Sequence, residues 1–237
     1  MKNSLDLSSF KLNQATMEIR FNNAYTLWDR AGQIWSKASS KWSNLKMGKA
    51  EPMVTKFLVD DRYELSIKLD VAHLIDLTPS SNLKEFMANA ELFVTLVADT
   101  LDITEFTRLG FRLIYCKRFP NKTEAADSLI STKMISVLSG KHFNIEGKVL
   151  MPNYSLRWEG VSMGVRVALL ARDKKIDLNV NPGMEEITPV HVERSELIYD
   201  IDYYTLKNTK KGQLNVKEWI SQAYHLVKRD SNVFMGA

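Results

Sequence analysis

Three stretches of the sequence predict helices that are apolar on one side only, and this feature constrains the fold more than any other. In residues 82–101 the apolar side chains recur at intervals of three and four positions, and residues 121–138 and the stretch after Asn215 repeat the pattern. Each stretch begins with an asparagine followed three residues later by a glutamate, which is the spacing of a capping box. Residues 24–42 predict a fourth helix, which aligns three tryptophans on one side and favours their burial in the core. Helices of this kind must bury their apolar sides against another layer, so we expect them to pack on a sheet.

Alternation of apolar and polar residues predicts the strands of that sheet. It is clearest in residues 63–71, and it recurs in residues 17–21, 109–119, 161–169 and 197–205. A further strand is predicted at residues 55–60, and Asp173 and Lys174 are predicted to form a hairpin tip that leads into residues 176–180. Up to residue 119 the order is strand, helix, strand, strand, helix, strand, which is the split βαβ order of a ferredoxin-like unit. We therefore predict an α+β fold with four helices on one side of a mostly antiparallel sheet in two similar halves.

The composition predicts one compact domain in a reducing compartment. Only 16 of the 237 residues are glycine or proline, and no linker separates the pseudo-halves 1–120 and 121–237, so we expect residues 1–237 to form a single domain. A single cysteine excludes an intrachain disulfide, the first ten residues lack the apolar run of a signal peptide, and the longest apolar stretch, residues 167–171, is too short to cross a membrane. These features predict a cytoplasmic protein that does not bind a membrane.

No motif in the sequence predicts a catalytic site, a metal site or a cofactor. The four histidines have no metal-ligand spacing, and no phosphate-binding glycine loop is present. Residues 160–164 match the GxSxG pattern around Ser162, but we expect this match to be accidental because the following residues continue as a strand. Cys116 lies beside basic residues, yet we interpret it as a structural cysteine.

A basic strand is the strongest charge feature. Arg108, Arg112 and Arg118 have the same parity in the predicted strand, and Lys122 follows, with no acidic residue between Glu105 and Glu124. Two interpretations remain open. The arginines bind phosphate or another anion, or they form ion pairs with Asp200 and Asp202, which share one face of a later strand. The ion-pair interpretation requires these two strands to be neighbours.

Three segments resemble a sporadically distributed family of bacterial proteins whose function is uncharacterised. They are the early strand with Glu18, Ile19, Arg20 and Phe21, the central strand with Gly110, Phe111 and Arg112, and the late sequence LIYDIDY at residues 197–203. The late strand is followed by a helix with Trp219 and His225, and by Phe234, as in that family. The resemblance implies a shared α+β fold and a bacterial or phage origin, and it implies no activity.

The sequence thus favours a non-enzymatic binding or assembly subunit of the bacterial cytosol, within a defence or mobile-element system. It would act with a protein partner or as a homo-oligomer. One alternative is a protein that binds nucleic acid or phosphate through Arg108, Arg112, Arg118 and Lys122. Another is a metal-dependent enzyme that handles a triphosphate between carboxylates and arginines on a sheet face. Of the paired glutamates that such an enzyme needs, only Glu18 is present, in the run Glu18–Ile19–Arg20.

Overall fold

The computed structural model describes residues 5–51, 53–135, 149–178 and 190–235, and within them the fold is α+β. Four α-helices are present in these residues, as the apolar stripes predict. Their bounds are α1 (Leu27–Ser39), α2 (Lys84–Thr100), α3 (Lys122–Ser131) and α4 (Val216–Met235). None of the helices in the described part of the chain is long and apolar enough to span a membrane.

Nine strands form one antiparallel sheet, and two short strands form a second. In chain order the strands are β1 (Lys11–Arg20), β2 (Leu45–Glu51), β3 (Val54–Val59), β4 (Tyr63–Lys68), β5 (Val71–Asp76), β6 (Glu105–Phe106), β7 (Arg108–Phe119), β8 (Asn153–Glu159), β9 (Met163–Leu178), β10 (Val190–Thr205) and β11 (Thr209–Lys210). The large sheet has the order β2-β3-β4-β5-β1-β7-β10-β9-β8, and β11 pairs with β6. Every pairing is antiparallel.

The first half contains a split βαβ unit but more strands than the sequence predicts. β5 and β7 run parallel to each other, α2 connects them, and β1 lies between them in the opposite direction. Between α1 and α2 there are four strands, two more than in a ferredoxin-like order. The predicted strand at residues 63–71 is wrong as a single element, because the chain turns at Leu69 and Asp70 and returns as β5. β2 was missed because it is solvated on both faces and shows no alternation.

The hairpin tip predicted at Asp173 and Lys174 is also wrong. Both residues lie inside β9, which continues to Leu178, and Asp173 pairs with Ser195 of β10. The polar run has no turn because β10 is equally long and continues the ladder beside it. Of the strand predicted at residues 176–180, the last two residues lie outside the described residues.

One face of the sheet packs against α1, α2 and α4. The buried side chains of β1 and β7, among them Met17, Ile19 and Phe111, point to this face, and Phe86 of α2 lies 6.0 Å from Phe111 between ring centroids. The hydroxyls of Tyr199 in β10 and Ser231 in α4 are hydrogen-bonded at 2.9 Å. α2 contacts both α1 and α4, so these three helices form a layer, whereas α3 contacts β7, β9 and β10.

The three tryptophans of α1 and its continuation do not share one environment. Trp42 is buried, and its Nε1–H donates to Asn89 Oδ1 at 2.9 Å. Trp35 is partly buried against Phe57, with ring centroids 5.7 Å apart. Trp28 is more than half exposed at the start of α1. The prediction that the stripe belongs to the core therefore holds for the later part of the helix only.

Candidate functional site

The face of the sheet opposite α2 and α4 is polar and bears a cavity of about 740 Å³. Its walls come from β1, β5, β7, β8, β9 and β10. Each strand contributes alternate residues, because residues that are two apart in a strand project to the same face of the sheet. The charged groups in the lining are Glu18, Arg20, Arg108, Arg112, Arg157, Arg166, Asp200 and Asp202. The volume lies within the range of sites that hold small ligands.

The register of the strands places these charges in rows across the sheet. One row runs from Ile75 through Thr16, Arg112, Asp202 and Arg166 to Arg157, at consecutive paired positions of β5, β1, β7, β10, β9 and β8. The neighbouring row runs through His73, Glu18, Gly110, Tyr204, Gly164 and Glu159. Residues that are more than 180 positions apart in the chain thereby contribute to one surface.

The structure decides between the two interpretations of the arginine strand for Arg108 and Arg112. β10 is the direct neighbour of β7, so the condition for ion pairing is met. Arg112 binds Asp200 through two hydrogen bonds, from Nε to Oδ1 at 2.7 Å and from Nη2 to Oδ2 at 2.5 Å. Arg108 donates to Asp202 Oδ2 at 2.6 Å and also to Glu18 Oε1. Both arginines are thus held in an ion-pair network that joins β1, β7 and β10.

The other two predicted basic residues are not brought to the cavity. Arg118 is exposed and pairs in register with Glu196 of β10, six residues before Asp202. Lys122 is the exposed first residue of α3. Neither of them lines the cavity, so the four basic residues predicted as a group do not form one site.

Glu18 is the centre of the charge network. Its carboxylate accepts from Arg20 Nε at 2.7 Å and from Arg108, and His73 Nε2 lies 2.9 Å from Oε2. Burial raises the pKa of Glu18, but His73, Arg20 and Arg108 outweigh burial and lower the pKa to about 2. Burial raises the pKa of Asp202 above its ordinary value, because Arg108 offsets only part of the loss of solvent and the charge of Glu18 opposes ionisation.

Tyr204 lies between two arginines and packs over Gly164. A Cβ atom at Gly164 would lie 2.5 Å from Tyr204 Cζ, so the ring can cross β9 only where the side chain is absent. The Arg108 guanidinium lies 4.4 Å above the centre of the ring, and Arg157 Nε donates to the hydroxyl at 2.9 Å. The aromatic ring therefore connects the ion-pair network of β7 with the arginine of β8.

Three arginines of the cavity, Arg20, Arg157 and Arg166, were not predicted as site residues from the sequence. Arg166 on β9 is exposed and has no ion pair with any residue that the structure describes. Arg157 on β8 pairs with Glu159 beside it and is also exposed. Arg166 lies in the predicted strand 161–169, with the parity opposite to the apolar residues, so its orientation was available from the sequence. The sequence did not show that Arg157 of β8 lies beside Arg166 in space.

The remaining motif residues lie outside the cavity. Ser162 is in the turn that joins β8 to β9, so the GxSxG match lies in a hairpin and lacks the strand-to-helix turn of a nucleophile elbow. Burial, and after it the nearby Glu196, raise the pKa of Cys116 to about 11, which suits a structural thiol. Among the described residues, no three histidine, cysteine, aspartate or glutamate side chains are grouped as metal ligands.

No protein-family model, curated protein or solved structure matches this chain. The resemblance to the bacterial family therefore stays a prediction.

Proposed function

We propose that this chain is a binding protein whose cavity holds a phosphate-bearing ligand. The observation that carries the proposal is the excess of positive charge in the lining, where five arginines stand against three carboxylates. Arg108 and Arg112 are bonded to those carboxylates, and Arg20 is bonded to Glu18. Arg157 pairs with Glu159, which is not part of the lining, so the excess lies at the end of the cavity formed by β8 and β9, where Arg166 has no ion pair with any described residue.

The chemistry of this end suits a phosphate group. A guanidinium presents parallel N–H donors that match two phosphate oxygens, and it stays charged at every physiological pH. Arg157 and Arg166 occupy directly paired positions on neighbouring strands, whose backbones lie about 4.8 Å apart. Side chains at directly paired positions on one face are close enough for their two guanidinium groups to contact one phosphate.

Isothermal titration calorimetry with inorganic phosphate tests the proposal. Arg166→Gln removes the unpaired charge from the cavity, and Arg118→Gln removes a charge from the same face outside it. Since a hydrogen bond to a charged group contributes about 1.5–3 kcal/mol, we expect Arg166→Gln to weaken binding about tenfold or more. Arg118→Gln should bind as the unaltered protein does, and higher salt should weaken binding in all three. Equal binding by both variants would contradict the proposal.

A second candidate function is assembly with a protein partner, and exposed apolar side chains favour it. Five of these side chains lie within residues 149–161, namely Val149, Leu150, Met151, Trp158 and Val161. They flank β8, which is the last strand of the large sheet, and Trp158 is 67 % exposed. Clusters of exposed apolar residues mark interaction surfaces.

Light scattering after size-exclusion chromatography tests this second candidate. The partner that we propose is a second copy of the chain, so the protein should elute as a dimer, and Trp158→Lys should return it to a monomer. The exposed Trp28→Lys is the matched control and should leave the mass unchanged. A monomeric protein at all concentrations contradicts self-association. As part of the same proposal, the protein acts in the bacterial cytosol within a defence or mobile-element system.

The enzyme alternative makes a different prediction. A triphosphate-handling enzyme would need carboxylates to hold Mg²⁺, and in this cavity Glu18, Asp200 and Asp202 are all bonded to arginines. Hydrolysis of tripolyphosphate that depends on Mg²⁺ and is lost in Asp202→Asn would favour the enzyme over the binding protein.

A further inference from the structure

We infer that the ligand of the cavity is a phosphate monoester of a hydroxyl-rich molecule, such as a sugar phosphate or a nucleoside monophosphate. The inference rests on the proposed function and adds the identity of the part that is not phosphate. It follows from the distribution of charge along the cavity, whose two ends and middle present different chemistry.

The basic end has room for one phosphate group only. Moving from β9 toward β1, β10 carries Asp200 and Asp202 and β1 carries Glu18, and all three line the middle of the cavity. Arg108, Arg112 and Arg20 balance their charges, so the three carboxylates and three arginines together have no net charge that could attract a phosphate. A second phosphate in the middle would lie against carboxylate oxygens and would be repelled. A polyphosphate or a nucleic-acid strand therefore fits the surface poorly.

The middle of the cavity offers hydrogen-bond acceptors. An ionised carboxylate accepts at about four positions, and Asp200 uses two of them for Arg112. Asp202 accepts one hydrogen bond from Arg108. The remaining acceptor positions of Asp200 and Asp202 can bind hydrogen-bond donors of a ligand, and hydroxyl groups supply such donors without adding charge.

The end of the cavity at β1 and β5 is uncharged at Gln14, Thr16 and Ile75. Gln14 Nε2 donates to Thr16 Oγ1 at 3.1 Å, which leaves the amide oxygen of Gln14 as an acceptor and the hydroxyl of Thr16 as a donor. Thr16 and Arg166 lie in one row with two strands between them, so they are about 14 Å apart along the sheet. Inorganic phosphate spans a fraction of that distance, whereas a phosphorylated sugar or nucleoside spans much more of it.

Calorimetry with ribose 5-phosphate, adenosine monophosphate, inorganic phosphate, pyrophosphate and ribose tests the inference. We expect at least one of the two esters to bind ten times more tightly than inorganic phosphate and more tightly than pyrophosphate, and ribose to bind weakly. The two esters separate the sources of the shared chemistry. Tighter binding of adenosine monophosphate identifies a nucleotide, and equal or tighter binding of ribose 5-phosphate identifies a sugar phosphate.

Two variants separate this inference from the proposed function. Gln14→Ala combined with Thr16→Val removes polar groups at the uncharged end, and Gln222→Ala, on the exposed side of α4, is the matched control. The double variant should lower the affinity for the ester to that for inorganic phosphate and leave inorganic phosphate unaffected. Arg166→Gln should weaken both. A thermal unfolding midpoint, Tm, equal to that of the unaltered protein confirms that each variant is folded.

Three outcomes overturn the inference. If inorganic phosphate binds as tightly as the esters, and Arg166→Gln weakens it, the proposed function stands and the inference is wrong. If pyrophosphate binds most tightly, the middle of the cavity accepts a second phosphate and the inference is wrong again. If no phosphate compound binds, or if Arg166→Gln changes nothing, the proposed function and the inference fail together.

Discussion

Gly164→Ala is the single change that tests the geometry of the cavity most directly. The new Cβ would lie 2.5 Å from Cζ, 2.6 Å from Cε2 and 2.7 Å from the hydroxyl oxygen of Tyr204. The ring is buried, and it cannot swing aside freely because Arg108 covers it and Arg157 and Glu159 bond its hydroxyl. The tyrosine must therefore leave its position, or the two strands must separate.

The expected cost follows from three contributions. Overpacking a filled site costs about 1–3 kcal/mol, and loss of the contact between Arg108 and the ring adds about 0.5–1 kcal/mol. Alanine recovers about 0.5–1 kcal/mol that glycine loses within a strand. We expect Gly164→Ala to lower the free energy of unfolding by about 1–3 kcal/mol. For a chain of this size each kcal/mol lowers Tm by about 2–4 °C.

Urea unfolding followed by circular dichroism measures this cost, and Gly110→Ala is the control. Gly110 lies in the same row, but its added Cβ would meet its nearest atoms at 3.4 Å or more, which is ordinary contact. Gly110→Ala should therefore cost little. In a double-mutant cycle Tyr204→Ala should remove most of the penalty of Gly164→Ala. Additive effects, or a stable Gly164→Ala protein, would show that the ring does not cross β9 at Gly164.

Three further predictions concern the rest of the described structure. Gly32→Ala on an open face of α1 should raise the free energy of unfolding by about 0.5–1 kcal/mol, measured by urea unfolding. Arg62→Ala leaves the fully buried Asp76 without its two-bond partner and should cost about 3 kcal/mol in the same assay, whereas Arg229→Ala, from an exposed pair, should cause no measurable change. The pKa of Glu18 falls from 4.5 to about 2 on folding, so its contribution to stability is complete above pH 4.5 and is lost between pH 4.5 and 2. Glu18→Gln should remove about 2–3 kcal/mol of that acid dependence, and an unchanged pH profile would contradict the network.

Helix starts were predictable where the capping residue has only local partners. The Asn121 side-chain oxygen accepts from the backbone N–H of Glu124 at 2.9 Å, as in a capping box, and its side-chain amide, rather than its backbone N–H, donates to the Glu124 carboxylate at 2.7 Å. Asn215 likewise accepts from the N–H of Glu218. The same spacing at Asn82 fails, because Leu83 adopts a left-handed conformation and α2 begins at Lys84. Glu85 bonds Arg62 instead, a residue more than twenty positions away, and no local pattern predicts such a partner.

The turns that the alternation missed depend on contacts that are distant in sequence. The turn between β4 and β5 is fixed by the end of β1, where the N–H groups of Phe21 and Ala24 donate to the carbonyls of Asp70 and Leu69. Residues 63–71 alternate without interruption, because a tight turn between two antiparallel strands need not disturb the pattern. The alternation thus predicts which side chains are buried, and tertiary contacts decide where the strand ends.

The candidate site shows the same division between local and distant information. The sequence identifies a basic face on β7 and an acidic face on β10, because parity within a strand is local. Whether the two strands are neighbours depends on the packing of the 70 residues between them, and the sequence alone left that question open. Arg166 was in a predicted strand, yet its place in the cavity depends on β9 lying beyond β10.

The ion pairs of β7 and β10 are diagonal, and this arrangement gives the cavity its rigidity. Arg112 is directly opposite Asp202 but bonds Asp200, and Asp202 is thereby available to Arg108, which is four residues from Arg112 in β7. Because Arg108 also bonds Glu18 of β1, each carboxylate fixes a neighbouring strand relative to β7. A ligand then meets side chains that are already held in ion pairs, whereas Arg166 is exposed and has no ion pair with any described residue. The paired arginines organise the cavity, and the arginines of β8 and β9 provide the charge that a phosphate would bind.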